Sequence, residues 1–236
     1  MFHPHPSIEV VPITPAHDCL VIDNALTEPE RWVELAAQHR AEFAASPHNA
    51  YPGLELRMPD AISARLDEFF ARHIRARLGI RRTLRMYSRL ALATLSPEHL
   101  LPRQWICHRD RLDTEPGRGI AASVLYLFHD TSMGGTAFFK PQRSEQETAM
   151  LIHESGTLAS TDFAAKYGLH PGYQTTSNAW FERTAAIPAK WNRLIFYDGG
   201  SVFHCSDIAA PNKLSADPRA GRLTLNGFFI CRRAAE

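Results

Sequence analysis

The sequence predicts a mainly β domain with α-helices near its N-terminus, which is an α+β fold class. Two observations support this prediction. Apolar residues recur at helical spacing in two segments before residue 80, and about eight short segments with strand character follow them, separated by turn residues. This order is typical of a sandwich or barrel with helices packed on one side. No internal repeat or linker divides the chain, so we expect one domain over residues 1–236, with an arm and helices in 1–82 and the β core in 83–232.

The composition limits the classes of function. The chain has 236 residues, of which 44% are hydrophobic, and this is enough to bury one large core. Its 26 basic and 25 acidic residues almost cancel, which argues against nucleic acid or an anionic membrane as the main partner. The N-terminus lacks the basic and apolar regions of a signal peptide, and no apolar run is long enough to span a membrane, so we expect a cytoplasmic protein. The widely spaced cysteines form no Cys-x-x-Cys motif and are expected to be free thiols: Cys19, Cys107, Cys205 and Cys231.

The N-terminal part should form an arm and two helices. Residues 1–18 are rich in proline and are expected to be an arm or an edge strand. The first helix is predicted to have Thr27 as its cap, with Glu30 completing a capping box, and to continue to about residue 46. The second helix should cover about residues 60–78 and end at Gly79.

The β core should begin with a long strand, because apolar and polar residues alternate from Thr83 to Thr94. Residues 141–180 are polar and only partly helix-like, so we interpret them as an insertion between two strands. Loops are expected at residues 49–53 and 111–119. The other predicted strands are residues 20–23, 120–128, 136–139, 184–188, 193–197, 201–204 and 222–231.

The residues of greatest chemical interest are His108 and Asp110, two residues apart after an apolar run. In an extended backbone they point to the same face and could bind one metal ion together. A facial triad needs two histidines and one carboxylate, and His204 is the candidate for the third ligand. Alone, a His-x-Asp pair is more often a surface turn, and a histidine on an apolar strand is more often part of the core. We refer to His108, Asp110 and His204 as the triad.

Several short motifs follow His108-x-Asp110 along the chain. They are Gly134-Gly135-Thr136-Ala137-Phe138, Ile187-Pro188 followed by Asn192-Arg193-Leu194-Ile195-Phe196, then His204, and Gly221-Arg222-x-Thr224. In this order they resemble the catalytic core of the iron(II)/2-oxoglutarate-dependent oxygenases, and they are most similar to the prolyl-4-hydroxylase-like branch. The resemblance covers roughly residues 84–232. It implies a double-stranded β-helix of the jelly-roll or cupin-like type, supported by the N-terminal helices.

The resemblance also implies the cofactors and further site residues. The triad would bind Fe²⁺, with 2-oxoglutarate as cosubstrate and O2 as oxidant. Arg222 would bind the far carboxylate of 2-oxoglutarate, and Thr224 would add a hydroxyl contact. Tyr87 and Tyr126 are both candidates for a hydrogen bond to the cosubstrate, and for each a purely structural place in the core is an equal alternative. If Arg222 lacks this role, the next cations to consider are Lys140 and Arg193.

The implied activity is hydroxylation of an unidentified organic substrate, either a small molecule, an amino acid or a peptide, with release of succinate and CO2. Halogenation is disfavoured, because halogenases of this family lack the carboxylate that Asp110 provides. In a different class of function, the chain could be a non-catalytic β-helix domain that binds a metal or ligand as a sensor. It could also form a homodimer. The insertion at residues 141–180 is expected to cover the open end of the barrel as a lid, with a brace on the outer wall as the alternative.

Overall fold

The computed structural model describes residues 1–46, 50–110 and 117–233. The predicted loops at 49–53 and 111–119 therefore lie partly outside the described residues. The described chain is mainly antiparallel β-structure with four α-helices. None of these four helices is both long and apolar enough to cross a lipid bilayer.

The secondary-structure elements agree with most of the predicted segments. Each predicted strand corresponds to an observed one, with bounds that differ by a few residues. The strands of the described chain are β1 (Glu9–Thr14), β2 (His17–Ile22), β3 (Ala44–Ala45), β4 (Gly53–Arg57), β5 (Ile80–Ala93), β6 (Arg118–Tyr126), β7 (Thr136–Pro141), β8 (Phe181–Ile187), β9 (Leu194–Tyr197), β10 (Phe203–Ser206) and β11 (Arg222–Arg233). The α-helices are α1 (Glu30–Gln38), α2 (Asp60–His73), α3 (Glu145–Glu154) and α4 (Ser160–Tyr167).

The strands form two sheets. The large sheet has the order β1-β2-β9-β6-β11-β5-β4-β3, and the small sheet has the order β10-β7-β8. From β5 onwards the chain passes back and forth between them, because β6, β9 and β11 join the large sheet whereas β7, β8 and β10 join the small one. Strand β11 is paired along most of its length with β5 on one side and β6 on the other. The inner face of β11 therefore lines the space between the two sheets.

The N-terminal helices cover the outer face of the large sheet. In α2, the ring of Phe70 stacks on Phe229 of β11 at a centroid distance of 4.0 Å and lies 5.8 Å from Phe196 of β9. Burial of one such side chain contributes roughly 1.5–3 kcal/mol. The prediction that the apolar stripe of this helix is core packing is confirmed. A short 3-10 turn follows α2 and ends at Gly79, whose φ of 64° is a left-handed conformation that favours glycine.

The prediction for the first helix was wrong at both ends. Helix α1 begins at Glu30 without a side-chain cap, and the hydroxyl of Thr27 instead accepts a hydrogen bond from the N-terminal ammonium of Met1 at 3.0 Å. The helix ends at Gln38 rather than near residue 46. The chain becomes extended at Phe43, which is buried, and β3 then pairs with β4. Strand pairing and burial thus override the local helix preference of this segment.

The insertion at residues 141–180 is more regular than the sequence indicated, because it contains α3 and α4. A capping box starts α3: the hydroxyl of Ser144 accepts from the backbone N–H of Glu147, and the Glu147 carboxylate accepts from the backbone N–H of Ser144 at 3.0 Å. The two helices bury apolar side chains against the side of the small sheet that faces away from the large one. This cluster includes Leu151, Phe163, Leu169, Phe139 and Phe203. Most of the insertion is therefore an outer brace, which was the alternative to the lid.

The four cysteines are free thiols, as predicted. Three are buried, and Cys205 is partly buried. Burial raises the pKa of the Cys107 thiol well above its usual value, and it raises that of Cys205 as well. These thiols are therefore protonated at neutral pH and behave as small apolar side chains.

Candidate metal centre

The backbone brings the two halves of the triad together. His108 and His204 form a two-residue antiparallel bridge, in which the N–H of His108 donates to the carbonyl of His204 at 3.0 Å and the reverse bond is 2.8 Å. The N–H of Asp110 donates to the carbonyl of Gly199 at 2.8 Å. The segment that carries His108 and Asp110 is thus attached to β10 and to the turn before it.

The triad has the geometry of a metal site. The Nε2 atom of His108 lies 3.9 Å from Oδ1 of Asp110, and Nε2 of His204 lies 3.8 Å from Oδ2 of the same carboxylate. The ligand atoms of all three residues lie within 4.8 Å of one another. Ligands about 2.0–2.2 Å from one ion are roughly 3–4 Å apart, so a small shift of the side chains would suit a divalent metal.

Each histidine has a feature that suits a metal ligand. The Nδ1 of His204 lies 3.1 Å from the carbonyl of Val202, which can only accept, so Nδ1 carries the proton and the lone pair of Nε2 faces Asp110. The pKa of His108 is lowered to about 4, mainly by burial and further by the neighbouring His204. Both conditions favour metal binding at neutral pH, since a histidine must be deprotonated to bind a metal.

One oxygen of the Asp110 carboxylate lacks a hydrogen-bond partner in the described chain. This oxygen, Oδ2, is also buried. A buried acceptor without a partner is costly, and a bound cation would satisfy it. Gly199 makes room for this carboxylate, because a Cβ at that position would collide with Oδ2 of Asp110. The donor set and the orphaned oxygen therefore fit a divalent metal.

The triad opens onto a cavity of about 430 Å³ between the two sheets. One wall is the inner face of β11, where every second side chain points inward. The residues of that wall are Arg222, Thr224, Asn226, Phe228 and Ile230.

A buried cation lies in the same cavity. Arg222 is only 2% exposed, and its guanidinium donates to the carbonyls of Met133 and Gly134 at 3.1 Å and to that of Gly135 at 2.8 Å. Within the described ranges, no carboxylate forms an ion pair with Arg222, and its Nη1 makes no hydrogen bond. A buried guanidinium held only by neutral carbonyls could bind an anion.

The two tyrosine candidates both lie on the inner face of the large sheet, but only one of them lines the cavity. Tyr87 lines the cavity and stacks on Phe228 at a centroid distance of 5.0 Å. Tyr126 does not line the cavity, and its hydroxyl is hydrogen bonded to that of Thr136 at 2.8 Å. The hydroxyl of Thr224 lies on the cavity wall, as expected for a residue two positions after Arg222.

The alternative cations lie elsewhere. Lys140 pairs with Glu182 at 3.0 Å, and Arg193 pairs with Asp23 at 2.7 Å. Neither lines the cavity. Of the three cations that the sequence suggested, only Arg222 lines the cavity.

Two cavity residues were missed by sequence reasoning. Tyr51 lines the cavity beside Thr224 and Arg222, and burial raises the pKa of its hydroxyl. Gln174, from the insertion, accepts a hydrogen bond from the N–H of Cys107 at 2.9 Å, while its Nε2 is buried beside the cavity without a partner among the described residues. No motif marks either residue, since both reach the site only through tertiary packing.

The fold and the site define a class: an antiparallel β protein with a candidate histidine–carboxylate metal centre in a cavity that also holds a buried arginine. Residues 4–229 match the family described as "Family of unknown function (DUF6445)", and the chain belongs to that family. No curated protein matches the chain significantly.

Several solved structures are similar over most of the chain. A prolyl-4-hydroxylase from Pseudomonas putida is 15% identical, with a TM-score of 0.45, and the match covers 93% of this chain and 95% of that one. The non-heme alpha-ketoglutarate-dependent carbocyclase SnoK from nogalamycin biosynthesis is 12% identical, with a TM-score of 0.49 and coverages of 92% and 83%. HygX from Streptomyces hygroscopicus, solved with nickel and 2-oxoglutarate bound, is 13% identical, with a TM-score of 0.46 and coverages of 89% and 82%. At these identities and scores, the similarities support no argument about activity.

Proposed function

We propose that the chain is an iron(II)- and 2-oxoglutarate-dependent dioxygenase that hydroxylates an organic substrate and releases succinate and CO2. One observation carries the proposal: the triad and the buried, unpaired Arg222 belong to a single cavity between the two sheets. The first can hold a divalent metal, and the second can hold a carboxylate.

The winding of the chain supports a double-stranded β-helix core. The strands β5, β11, β6 and β9 are neighbours in the large sheet, and β10, β7 and β8 form the small sheet. The His108 segment joins the small sheet at its β10 edge. From β5 to β11 the chain thus passes repeatedly between two facing sheets, with β7 and β8 as one neighbouring pair in the small sheet, and this resembles the arrangement of a jelly roll.

The chain's own residues would have distinct roles. His108 and His204 would supply neutral nitrogen ligands and Asp110 a negative charge, all from one side, so that the other metal positions stay open. Arg222 would hold the far carboxylate of 2-oxoglutarate through the N–H groups that the backbone carbonyls leave free. The hydroxyls of Thr224 and Tyr51 lie beside this position and would orient the same carboxylate.

When bound, iron with 2-oxoglutarate and O2 supplies the oxidising power for hydroxylation, and the protein contributes binding, orientation and exclusion of water. The apolar and aromatic side chains of Ile106, Val124, Phe228 and Ile230 on the cavity wall would limit the access of water to the site.

The test begins with anaerobic binding. The purified protein, loaded with Fe(II), is titrated with 2-oxoglutarate, and the visible charge-transfer band of the complex is recorded. We expect the band in the wild type and in His170→Ala, which removes an exposed histidine outside the cavity. It should be absent from Asp110→Ala and His204→Ala, although both should keep the wild-type circular dichroism.

Turnover separates the two classes of function. On admission of air, an oxygenase should convert 2-oxoglutarate to succinate slowly even without its substrate. Complex formation without any succinate would instead identify a non-catalytic metal- and ligand-binding domain. If no complex forms, the proposed function is wrong.

A further inference from the structure

The inner face of the large sheet extends past the cavity, and several arginine side chains lie on this extended part. On β11, side chains of one face alternate from Phe228 through Ile230 to Arg232. Arg232 lies opposite Arg82 of β5, and Ile230 lies opposite Arg85. On the other side of β11, Arg232 lies opposite Arg118 of β6.

The local pairing confirms which face these side chains occupy. A register shift follows Ile230, so that Cys231 pairs with Thr83. Cys231 is buried in the helix-side core, and the hydroxyl of Thr83 donates to Asp67 of α2 at 2.7 Å. Since neighbouring residues of a strand point to opposite faces, Arg82 and Arg232 must lie on the cavity side.

Arg85 lies two residues before Tyr87 on the same face of β5, next to the cavity that holds the triad. Burial raises the pKa of the Tyr87 hydroxyl, and the charges of Arg89, Asp110 and Arg85 also act on it. Tyr87 thus lies within electrostatic reach of both a triad carboxylate and the first arginine beyond the cavity. We call Arg82, Arg85 and Arg232 the mouth arginines.

The mouth arginines form a local group of positive charge. All three are exposed, and none forms an ion pair with another residue of the described chain. Nearby carboxylates are already engaged: Glu55 with Arg89 at 2.9 Å, and Asp198 with Arg233 at 2.5 Å. The net charge of the chain is only +1, so this concentration is local.

Like charges directly opposite each other on adjacent strands, about 5 Å apart, destabilise a sheet. Arg82 and Arg232 are such a pair. A ligand with negative groups would relieve this repulsion. Arg85 lies opposite Ile230, which is two residues, or about 7 Å, from Arg232 along β11. A ligand that contacts both Arg85 and Arg232 therefore needs two anionic groups or one branched anionic group.

On the basis of the function proposed above, we propose that the substrate is anionic, and that the mouth arginines bind its carboxylate or phosphate groups while another part of it reaches the metal centre across the Tyr87–Phe228 pair. Guanidinium groups bind both kinds of anion through paired hydrogen bonds. The stacked rings offer an apolar surface between the charged mouth and the triad.

Binding of two acidic probes tests this inference. Fluorescein-labelled hexaglutamate represents carboxylates and inorganic tripolyphosphate represents phosphates, with hexaglutamine as the uncharged comparison. The triple variant Arg82→Gln/Arg85→Gln/Arg232→Gln removes the mouth arginines. The matched control is Arg40→Gln/Arg65→Gln/Arg72→Gln, which removes the same charge from exposed positions in and near the helices on the other face of the sheet.

We expect at least one acidic probe to bind the wild type, with an affinity at least tenfold lower in the mouth variant and less than twofold lower in the control. The probe that binds identifies the chemical source of the anion. Equal losses of affinity in the two variants would show that only the net charge matters, and this would overturn the inference. Failure of both probes to bind the wild type would overturn it as well. Tighter binding of a 24-base-pair DNA duplex than of either probe, lost in the mouth variant, would identify a nucleic-acid face instead and also overturn it.

A second measurement asks whether the ligand reaches the metal centre. Mn(II) bound at the triad should speed the nuclear relaxation of the bound acidic probe in the wild type but not in Asp110→Ala. A probe that binds at the mouth without this effect would mark a separate anion surface and contradict the role in substrate binding. If Mn(II) does not bind the wild type, the proposed function fails, whereas the affinities of the two triple variants still decide whether the mouth is an anion site.

Discussion

At the scale of single residues, the site contains buried polar atoms that have no hydrogen-bond partner in the described chain. Asp110 has an orphaned buried oxygen, and Gly199 gives that oxygen its space. We expect Gly199→Ala to displace the Asp110 carboxylate and weaken Mn(II) binding at least tenfold, which corresponds to about 1.4 kcal/mol. Isothermal titration would measure this. Gly172→Ala is the control, because an added Cβ there meets nothing within 4 Å, and an equal loss of affinity in both variants would contradict the prediction.

Arg222 is the second test at this scale. Without its guanidinium, the far carboxylate of 2-oxoglutarate would be buried unpaired, at a cost of about 2–5 kcal/mol. Arg222→Gln should therefore raise the dissociation constant of 2-oxoglutarate in the metal-loaded protein by tens-fold or more. Arg193→Gln, which breaks the ion pair with Asp23 outside the cavity, should lower stability and leave this constant unchanged. The reverse pattern would assign the carboxylate to Arg193.

At the scale of elements, α3 shows what the insertion contributes. Leu151 is fully buried against the small sheet, whereas the adjacent Met150 is 49% exposed. Leu151→Ala should lower the free energy of unfolding by about 2–5 kcal/mol, and Met150→Ala by less than about 0.5 kcal/mol. Urea denaturation followed by circular dichroism would measure both, and a small effect of Leu151→Ala would show that the helix is only loosely attached.

The packing of α3 and α4 on the small sheet also changes what we expect when the insertion is replaced by a short linker. A lid could be replaced by a short linker without loss of the fold. Replacement of residues 145–178 would instead expose Phe139 and Phe203 of the small sheet and remove Gln174, which binds the backbone next to His108. We therefore expect that variant to fail to fold, and a folded, metal-binding product would restore the lid interpretation.

The junction of β2 and β9 provides a pH-dependent prediction. Hydrogen bonds from Arg193 and Lys190, both at 2.7 Å, lower the pKa of Asp23 from 3.8 to about 2. Because the folded-state pKa lies below the unfolded one, this stabilisation is present above pH 4 and is lost as the pH falls through about 2.

Asp23→Asn should consequently destabilise the protein most above pH 4, with the difference from the wild type shrinking towards pH 2. Urea midpoints across that range would measure it. Asp18→Asn, on the exposed side of β2 and without an ion pair in the described chain, is the control. A constant difference for Asp23→Asn would argue against the ion pairs as the cause.

At the scale of the whole molecule, a bound metal would connect parts of the chain that are far apart in sequence. Four strands of the core, β6 to β9, lie between Asp110 and His204 in the sequence. A ligand that binds only the folded state stabilises it by about 2.7 kcal/mol at a concentration one hundred times its Kd. Addition of Mn(II) should thus raise the thermal midpoint of the wild type and leave that of Asp110→Ala unchanged. An equal rise in both would place the metal elsewhere.

Local periodicity in the sequence was sufficient to predict several elements. The long alternating strand became β5, the apolar stripe of α2 became core, and the two-residue spacing put His108 and Asp110 on one face. The order of motifs along the chain also predicted that His204 joins them as the third ligand of the triad. These features depend on side-chain spacing and backbone geometry, which a sequence contains directly.

Features that depend on strand register and on packing between distant segments could be seen only in the folded chain. Tyr87 and Tyr126 lie on the same face of the large sheet, but only Tyr87 lines the cavity, because the hydroxyl of Tyr126 is bonded to Thr136 of the small sheet. Tyr51 and Gln174 reach the site from a loop and from the insertion, and the arginines of β5 and β11 become neighbours only across a paired sheet. Helix α1 ends early for the same reason, since the pairing of β3 with β4 outweighs its local preference. Long-range contacts of this kind are absent from local sequence patterns, because they arise only when the sheets assemble.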